Sequence, residues 1–153
     1  MINVVLFEPE IPQNTGNIIR LCANAGAKLV IVEPCGFSLS DKHCRRAGLD
    51  YHDQACISMC KDWSDFLQKC QPKRLFNLST KAKTSYTETH YSVDDFLVFG
   101  PETRGLPDAI LHDPGAHSLR IPMQHASRSL NLSNAVAIVL YEAMRQLHFP
   151  GCD

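Results

Sequence analysis

Three segments of this 153-residue chain concentrate the residue types that could bind a ligand or take part in a reaction. The first, PQNTGNIIRLCANAG, is predicted to be helical and places Asn14 and Arg20 roughly opposite its apolar stripe. A solvated helix face usually carries lysine and glutamate, whereas this one carries amides and a single arginine. Amide side chains beside the free N–H groups of a helix start suit a phosphate or a sugar. The structural alternative is that Asn14 or Thr15 only caps the helix.

The second segment, FGPETRGLP, ends an apolar run at Gly100 and continues into a loop with a second glycine, two prolines and Glu102. Prolines stiffen a loop and glycines leave its backbone bare, so this loop is suited to hold a ligand at a low ordering cost. The fingerprints GxGxxG, GxxxxGK(S/T) and GxSxG are absent from the sequence. Their absence disfavours a dinucleotide enzyme, a P-loop nucleotidase and a serine hydrolase.

The third segment, LRIPMQHASRSLNLSNAVAI, carries more polar side chains at a helix start than capping requires. Ser129, Asn131 and Ser133 are all candidates for a position at which one cap residue is enough. Arg128 adds a cation beside them. The surplus hydroxyl and amide groups could bind the polar edge of a ligand.

The elements that must position these segments alternate between strands and helices, which predicts an α/β domain with a mostly parallel sheet. The sequence predicts strands over residues 2–7, 29–32, 54–59, 74–78, 95–99 and 118–122, and helices over 12–25, 40–48, 63–70, 107–112 and the C-terminal region. Polar loops then follow the strands that end near Leu78, Phe99 and Pro122. In an open α/β sheet this edge is where ligands bind.

The last helix has the strongest apolar periodicity in the chain. Its stripe recurs at helical spacing through Leu132, Ala135, Val136, Val139, Leu140, Ala143, Met144 and Leu147. Ile138 and Tyr141 widen this surface beyond what one sheet face needs. The surplus predicts a homodimer packed through this helix, and the alternative is a helix buried within its own monomer.

The composition of the chain limits the partners and the cysteine chemistry that can be expected. The net charge of −1 predicts no strong non-specific binding of nucleic acid, so an RNA partner must be held by local basic patches. The seven cysteines form no CxxC pair, which favours reduced thiols in the cytoplasm over a disulfide framework or a zinc site. We expect no metal, no signal peptide and no membrane-spanning segment.

In this order, NTGNIIR, FGPETRGLP and RIPM…SRSLNLSNAVAI resemble the three motifs of the SPOUT (SpoU–TrmD) RNA methyltransferases. The resemblance covers nearly the whole chain, and the short length is similar to the TrmL/YibK group. It implies transfer of a methyl group from S-adenosylmethionine to the ribose 2′-hydroxyl of the wobble cytidine or modified uridine in leucine tRNAs. It also implies a homodimer and a single domain over 1–153, with a deep trefoil knot over about 75–141.

The resemblance also assigns roles to individual residues. It implies that Arg20 is catalytic and is oriented by Asn14, and that Gly100 leaves room for the cofactor. The implied cofactor-binding positions are Leu78, Gly100, Glu102, Ile121, Met123, Ser129 and Leu130. Arg128 and Tyr141 are expected to contact RNA, with the partner subunit as the alternative. The basic group Lys42, Arg45 and Arg46 is expected to contact the tRNA backbone, with a plain solvated helix face as the alternative.

The proton step at Arg20 is constrained by the basicity of arginine. With a reference pKa of about 12.5–13.8, a neutral guanidine at pH 7 would cost roughly 8 kcal/mol. We therefore expect Arg20 to hold a target phosphate and to stabilise the developing alkoxide. Two other functions remain as alternatives, namely methylation of ribosomal RNA and a non-catalytic role in RNA binding or assembly.

Overall fold

The computed structural model describes residues 1–40, 42 and 57–153. Within these residues the chain forms a parallel sheet of seven strands in the order β3-β2-β1-β6-β4-β7-β5. The strands are β1 (Asn3–Phe7), β2 (Lys28–Val32), β3 (Ile57–Cys60), β4 (Leu75–Leu78), β5 (Thr84–Ser85), β6 (Phe96–Phe99) and β7 (Ala116–Arg120). The α/β class and the parallel sheet predicted from the sequence are confirmed.

The described helices are α1 (Pro12–Ala25), α2 (Trp63–Cys70), α3 (Asp108–Leu111) and α4 (Leu132–Gln146). Helix α1 begins at its proline because that residue has no N–H to leave unpaired and its φ already suits a helix. Helix α2 begins where the Asp62 carboxylate accepts a hydrogen bond from the N–H of Asp65 at 2.8 Å. Both helices have the bounds that the sequence predicted.

Apolar side chains cover both faces of the sheet, as expected for parallel strands. Along β1, Val4 and Leu6 pack into the cluster under α1 and α4, while Val5 and Phe7 pack into the cluster under α2 and α3. The predicted stripe of α4 faces the first of these clusters. Six of its members are buried, namely Leu132, Val136, Val139, Leu140, Ala143 and Met144.

Two strand assignments differ from the structure. The segment predicted to be a polar loop contains β5, which pairs with β7 through Thr84 and Leu119 and is too short to show any periodicity. Strand β7 ends at Arg120 rather than at Pro122 and begins earlier, at Ala116. Pro122 has no N–H for a ladder, so the apolar Ile121–Pro122 pair resembles a strand only in its side chains.

Some predictions made from the sequence are not tested by the described residues. The helix over 40–48, with Arg45 and Arg46, lies outside the described residues, as does the beginning of the strand predicted from residue 54. The trefoil knot stays a prediction. None of the helices in the described ranges is long and apolar enough to cross a membrane.

Candidate functional site

The loops that follow β4, β6 and β7 enclose a cavity of about 280 Å³ at the carboxyl edge of the sheet. This edge is where open α/β sheets bind their ligands. All seven positions expected to bind a cofactor line this one cavity, namely Leu78, Gly100, Glu102, Ile121, Met123, Ser129 and Leu130. The fold therefore brings together residues from the end of β4, the loop after β6 and the loop after β7.

Gly100 stands where the loop after β6 folds back on itself. A Cβ built on Gly100 would lie 2.4 Å from the N of Leu106 and 2.5 Å from the carbonyl carbon of Gly105, closer than real Cβ atoms come. The N–H of Gly105 closes the turn by donating to the Pro101 carbonyl at 3.0 Å, with a φ of 69°. The close approach of the loop's own backbone thus requires a glycine at position 100, and its role beside a cofactor stays a prediction.

Glu102 lines the cavity, and its carboxylate also contacts the residues just before α1. Its carboxylate accepts hydrogen bonds from the N–H of Glu10 at 2.8 Å, the N–H of Ile11 at 3.0 Å and the Asn14 amide at 3.3 Å. The N-cap residue Ile11 supplies no side-chain cap, so this carboxylate satisfies N–H groups at the helix entry and complements the helix dipole. The alternative that Asn14 or Thr15 caps α1 is wrong.

Asn14 links the first and third segments. It is buried, and its Oδ1 accepts a hydrogen bond from the Asn131 amide at 3.0 Å. Asn131 in turn caps α4, because its Oδ1 accepts from the N–H of Ser133 at 2.9 Å and of Asn134 at 3.3 Å. The expected contact in which Asn14 orients Arg20 is not made, since the hydrogen bonds of Asn14 among the described residues go to Glu102 and Asn131.

Asn131 lies beside the cavity lining, and its link to Asn14 could not be predicted from the sequence. The crowding of polar side chains at the start of α4 marked its position, but nothing local distinguished it from Ser129 and Ser133. Only the contact with Asn14 shows that it also joins two segments 117 positions apart.

We expect Asn131→Ala to lower the free energy of unfolding by about 2 kcal/mol, since it removes a helix cap and the donor to a buried amide oxygen. The measurement is urea unfolding followed by circular dichroism. Asn134→Ala is the matched control, because Asn134 is exposed and its own N–H, not its side chain, takes part in the cap. Equal losses in the two variants would contradict the assigned role.

A second set of contacts ties the loop after β6 to the segment before α1. The Glu10 carboxylate accepts from the Thr103 N–H at 3.1 Å and from the Thr103 hydroxyl at 2.8 Å, and Arg104 pairs with Glu8 at 3.0 Å. The hydrogen bonds from Thr103 hold the pKa of Glu10 below its ordinary value. Because the ionised form accepts these bonds, their contribution is present at neutral pH and is lost as the pH falls through the lowered pKa.

Arg20 and those predicted RNA-binding residues that the structure describes are exposed. Arg20 lies on α1 outside the cavity lining and has no hydrogen-bond or ion-pair partner among the described residues. Arg128 precedes α4, Tyr141 lies on α4 with 44% of its surface exposed, and Lys42 is also exposed. No group of three or more metal-ligating side chains occurs in the part of the chain that is described.

Comparison with known proteins identifies what this arrangement resembles. The sequence profile of the SpoU rRNA Methylase family matches residues 1–141. A relative from Escherichia coli (strain K12), named tRNA (cytidine(34)-2'-O)-methyltransferase, is 55% identical over 152 residues, which cover 99% of this chain and 97% of the relative.

Two solved structures are also similar. One, described as "Structural insights into the 2-OH methylation of C/U34 on tRNA", is 41% identical with a TM-score of 0.90, and the match covers 97% of each chain. The other is an AdoMet-bound rRNA methyltransferase from Sinorhizobium meliloti. It is 27% identical with a TM-score of 0.83, and the match covers 95% of this chain and 56% of that one.

Proposed function

This chain belongs to the SpoU rRNA Methylase family, and we propose that it methylates the ribose 2′-hydroxyl of nucleotide 34, a cytidine or uridine, in tRNA. The observation that carries the proposal is the end-to-end match to a tRNA (cytidine(34)-2'-O)-methyltransferase at 55% identity. The methyl donor is S-adenosylmethionine. The cavity formed by the three loops supports this choice independently of the comparison.

The residues that line the cavity suit an adenosine that carries an amino-acid chain. Leu78 at the end of β4 and Ile121 and Leu130 in the loop after β7 supply apolar surface, which suits the two faces of a purine ring. The loop from Gly100 to Leu106 adds backbone N–H and C=O groups for the polar edge of the base. When bound, the donor supplies a methyl group on a sulfonium, whose sulfur is a good leaving group without a metal.

We assign the catalytic role to Arg20. Its guanidinium stays charged at neutral pH and presents a planar fork of donors that matches a phosphate. Held on α1, Arg20 binds a phosphate of the target nucleotide and stabilises the negative charge that develops on the 2′-oxygen. Asn14 contributes by fixing the first turn of α1 to Glu102 and Asn131, six positions before Arg20.

A homodimer through α4 completes the proposal. Ile138, Tyr141 and Phe149 are exposed, and the rings of Tyr141 and Phe149 lie 6.3 Å apart, so the outer side of α4 and the chain after it carry apolar surface. Exposed apolar surface of this kind favours a protein partner. Sedimentation equilibrium should therefore give twice the monomer mass of 17.1 kDa.

The dimer also bears on how a tRNA is bound by a chain with a net charge of −1. We propose that the groove between two copies binds the RNA backbone, with contributions from Arg128, Tyr141 and the Lys42 group (Lys42, Arg45 and Arg46). We further propose leucine isoacceptors as the substrates and the cytoplasm as the place of action.

Ribosomal RNA is the second candidate substrate, because the family's name and the Sinorhizobium meliloti enzyme refer to rRNA. The share of each solved chain that the match covers favours tRNA as the substrate. The match spans 56% of that rRNA methyltransferase but 97% of the chain associated with C/U34 on tRNA.

The test incubates the protein with labelled S-adenosylmethionine and either total tRNA or ribosomal RNA, and maps the modified nucleotide by mass spectrometry. We expect a 2′-O-methyl group at nucleotide 34 of tRNA. Label in ribosomal RNA alone would favour the second candidate. Absence of label from both, with S-adenosylhomocysteine still bound, would favour the non-catalytic alternative.

A further inference from the structure

Two loops are joined by hydrogen bonds that run in both directions. Glu10 donates its backbone N–H to the carboxylate of Glu102 at 2.8 Å, and Thr103 donates its backbone N–H to the carboxylate of Glu10 at 3.1 Å. The Thr103 hydroxyl also lies 2.8 Å and 2.9 Å from the two oxygens of Glu10. We call Glu10, Glu102 and Thr103 the clasp.

The clasp lies between the cofactor cavity and the helix that carries Arg20. Glu102 and Thr103 belong to the loop from Gly100 to Leu106, which forms one wall of the cavity. Glu10 lies two residues before Pro12, at which α1 begins. Any movement of this wall away from α1 breaks the contacts of the clasp.

The exposed part of this loop depends on contacts to the segment before α1, because of the residues that the loop itself contains. Gly100 and Gly105 flank a stretch in which Thr103 and Arg104 are exposed. Few apolar contacts are therefore available to hold this part of the loop. The contacts to Glu10 and Glu8 supply the restraint from outside.

We propose that Glu10 and Thr103 are positioning residues, which hold the cofactor loop against the entry of α1 and thereby couple occupancy of the cavity to RNA binding by that helix. The proposal rests on the proposed function, because it takes the cavity as the site of S-adenosylmethionine and α1 as an RNA-binding element. Neither Glu10 nor Thr103 is required to touch the reacting atoms.

Two consequences can be measured. When the clasp is broken, the loop spends less time in the form that binds the cofactor, and the apparent Kd rises in inverse proportion to the remaining fraction. In addition, any factor by which RNA tightens cofactor binding must equal the factor by which cofactor tightens RNA binding. A residue that only stabilised the fold would leave this coupling factor unchanged.

The experiment compares Thr103→Val, which removes the hydroxyl but keeps the shape, with Thr103→Ser, which keeps the hydroxyl. Thr84→Val is the matched control, since Thr84 is exposed on β5 and outside the cavity lining. Calorimetry measures the Kd of S-adenosylhomocysteine with and without saturating tRNA, and thermal unfolding checks that each variant is folded.

For Thr103→Val we expect the Kd to rise about threefold to tenfold, the effect of losing a hydrogen bond to a charged group that is partly exposed. We also expect the coupling factor between tRNA and S-adenosylhomocysteine to fall towards one. Thr103→Ser should restore both quantities, and Thr84→Val should change neither. Glu10→Gln weakens the same contact from the other loop, and its effect in the Thr103→Val background should be smaller than in the wild type, because only the Thr103 N–H bond then remains.

The outcomes separate this proposal from the function on which it rests. If the wild type binds S-adenosylhomocysteine and tRNA but Thr103→Val and Glu10→Gln keep the wild-type Kd and coupling factor, the clasp has no positioning role. A change in Kd with the coupling factor intact would also overturn the proposal, because cavity and helix would then be independent. If the wild type itself binds no S-adenosylhomocysteine, the proposed function fails and this inference fails with it.

Discussion

Arg20→Ala is expected to lower the rate of methyl transfer to tRNA by about 10² to 10³, the usual loss when one charge-stabilising donor is removed from a reaction centre. The affinity for S-adenosylhomocysteine should not change, because Arg20 lies outside the cavity lining. Single-turnover transfer from a labelled donor measures the rate, and calorimetry measures the affinity.

Arg20→Lys distinguishes a planar, two-pronged contact from a simple positive charge. Lysine keeps the charge but has no fork of donors, so we expect it to recover only a small part of the rate. Activity near the wild-type level would contradict the bidentate role. Lys69→Ala serves as the control for loss of a cation, since Lys69 lies on α2 and forms an exposed pair with Asp65, which contributes little.

Gly100→Ala is expected to weaken S-adenosylhomocysteine binding about 100-fold or more, because the new methyl group would overlap the backbone at Gly105 and Leu106. Backbone atoms cannot move aside as a flexible side chain can, so the loop must leave its position on the cavity wall. The sheet does not depend on that loop for its ladder, and the free energy of unfolding should fall by only about 1–3 kcal/mol.

Calorimetry with S-adenosylhomocysteine and thermal unfolding of the same sample separate these two effects. Gly36→Ala is the matched control, because a Cβ at Gly36 would meet its nearest neighbour, the Glu10 carbonyl oxygen, at 3.5 Å, an ordinary contact. Wild-type affinity in Gly100→Ala would show that the loop can open without harming the site.

The elements of this fold were predictable where local signals are strong. Pro12 fixes the beginning of α1, and the spacing of Trp63, Phe66, Leu67 and Cys70 identifies α2. Strand β5 could not be predicted, because its two residues are held by pairing with β7 and not by any pattern of their own. The same holds for the ends of β7, which the neighbouring strands decide.

The roles of residues within the site were less predictable than their positions. All seven positions implied by the motif resemblance line the cavity, and their contact with the cofactor stays a prediction. The carboxylate of Glu102 in addition contacts the entry of α1, which the motif did not indicate. Likewise Asn14 was expected to orient Arg20 and instead joins Glu102 to Asn131. A motif identifies which residues belong to a site but not which atoms they contact.

By itself, the sequence determined the α/β class, the family and seven of the residues that line the cavity, because apolar periodicity, turn residues and motif order are all local along the chain. Only the tertiary structure decided how the loops hold one another. The contact from Glu102 to Glu10 spans 92 positions and that from Asn131 to Asn14 spans 117. Hydrogen bonds between such distant residues form only after the parallel strands have paired, and no local pattern of residues encodes them in advance.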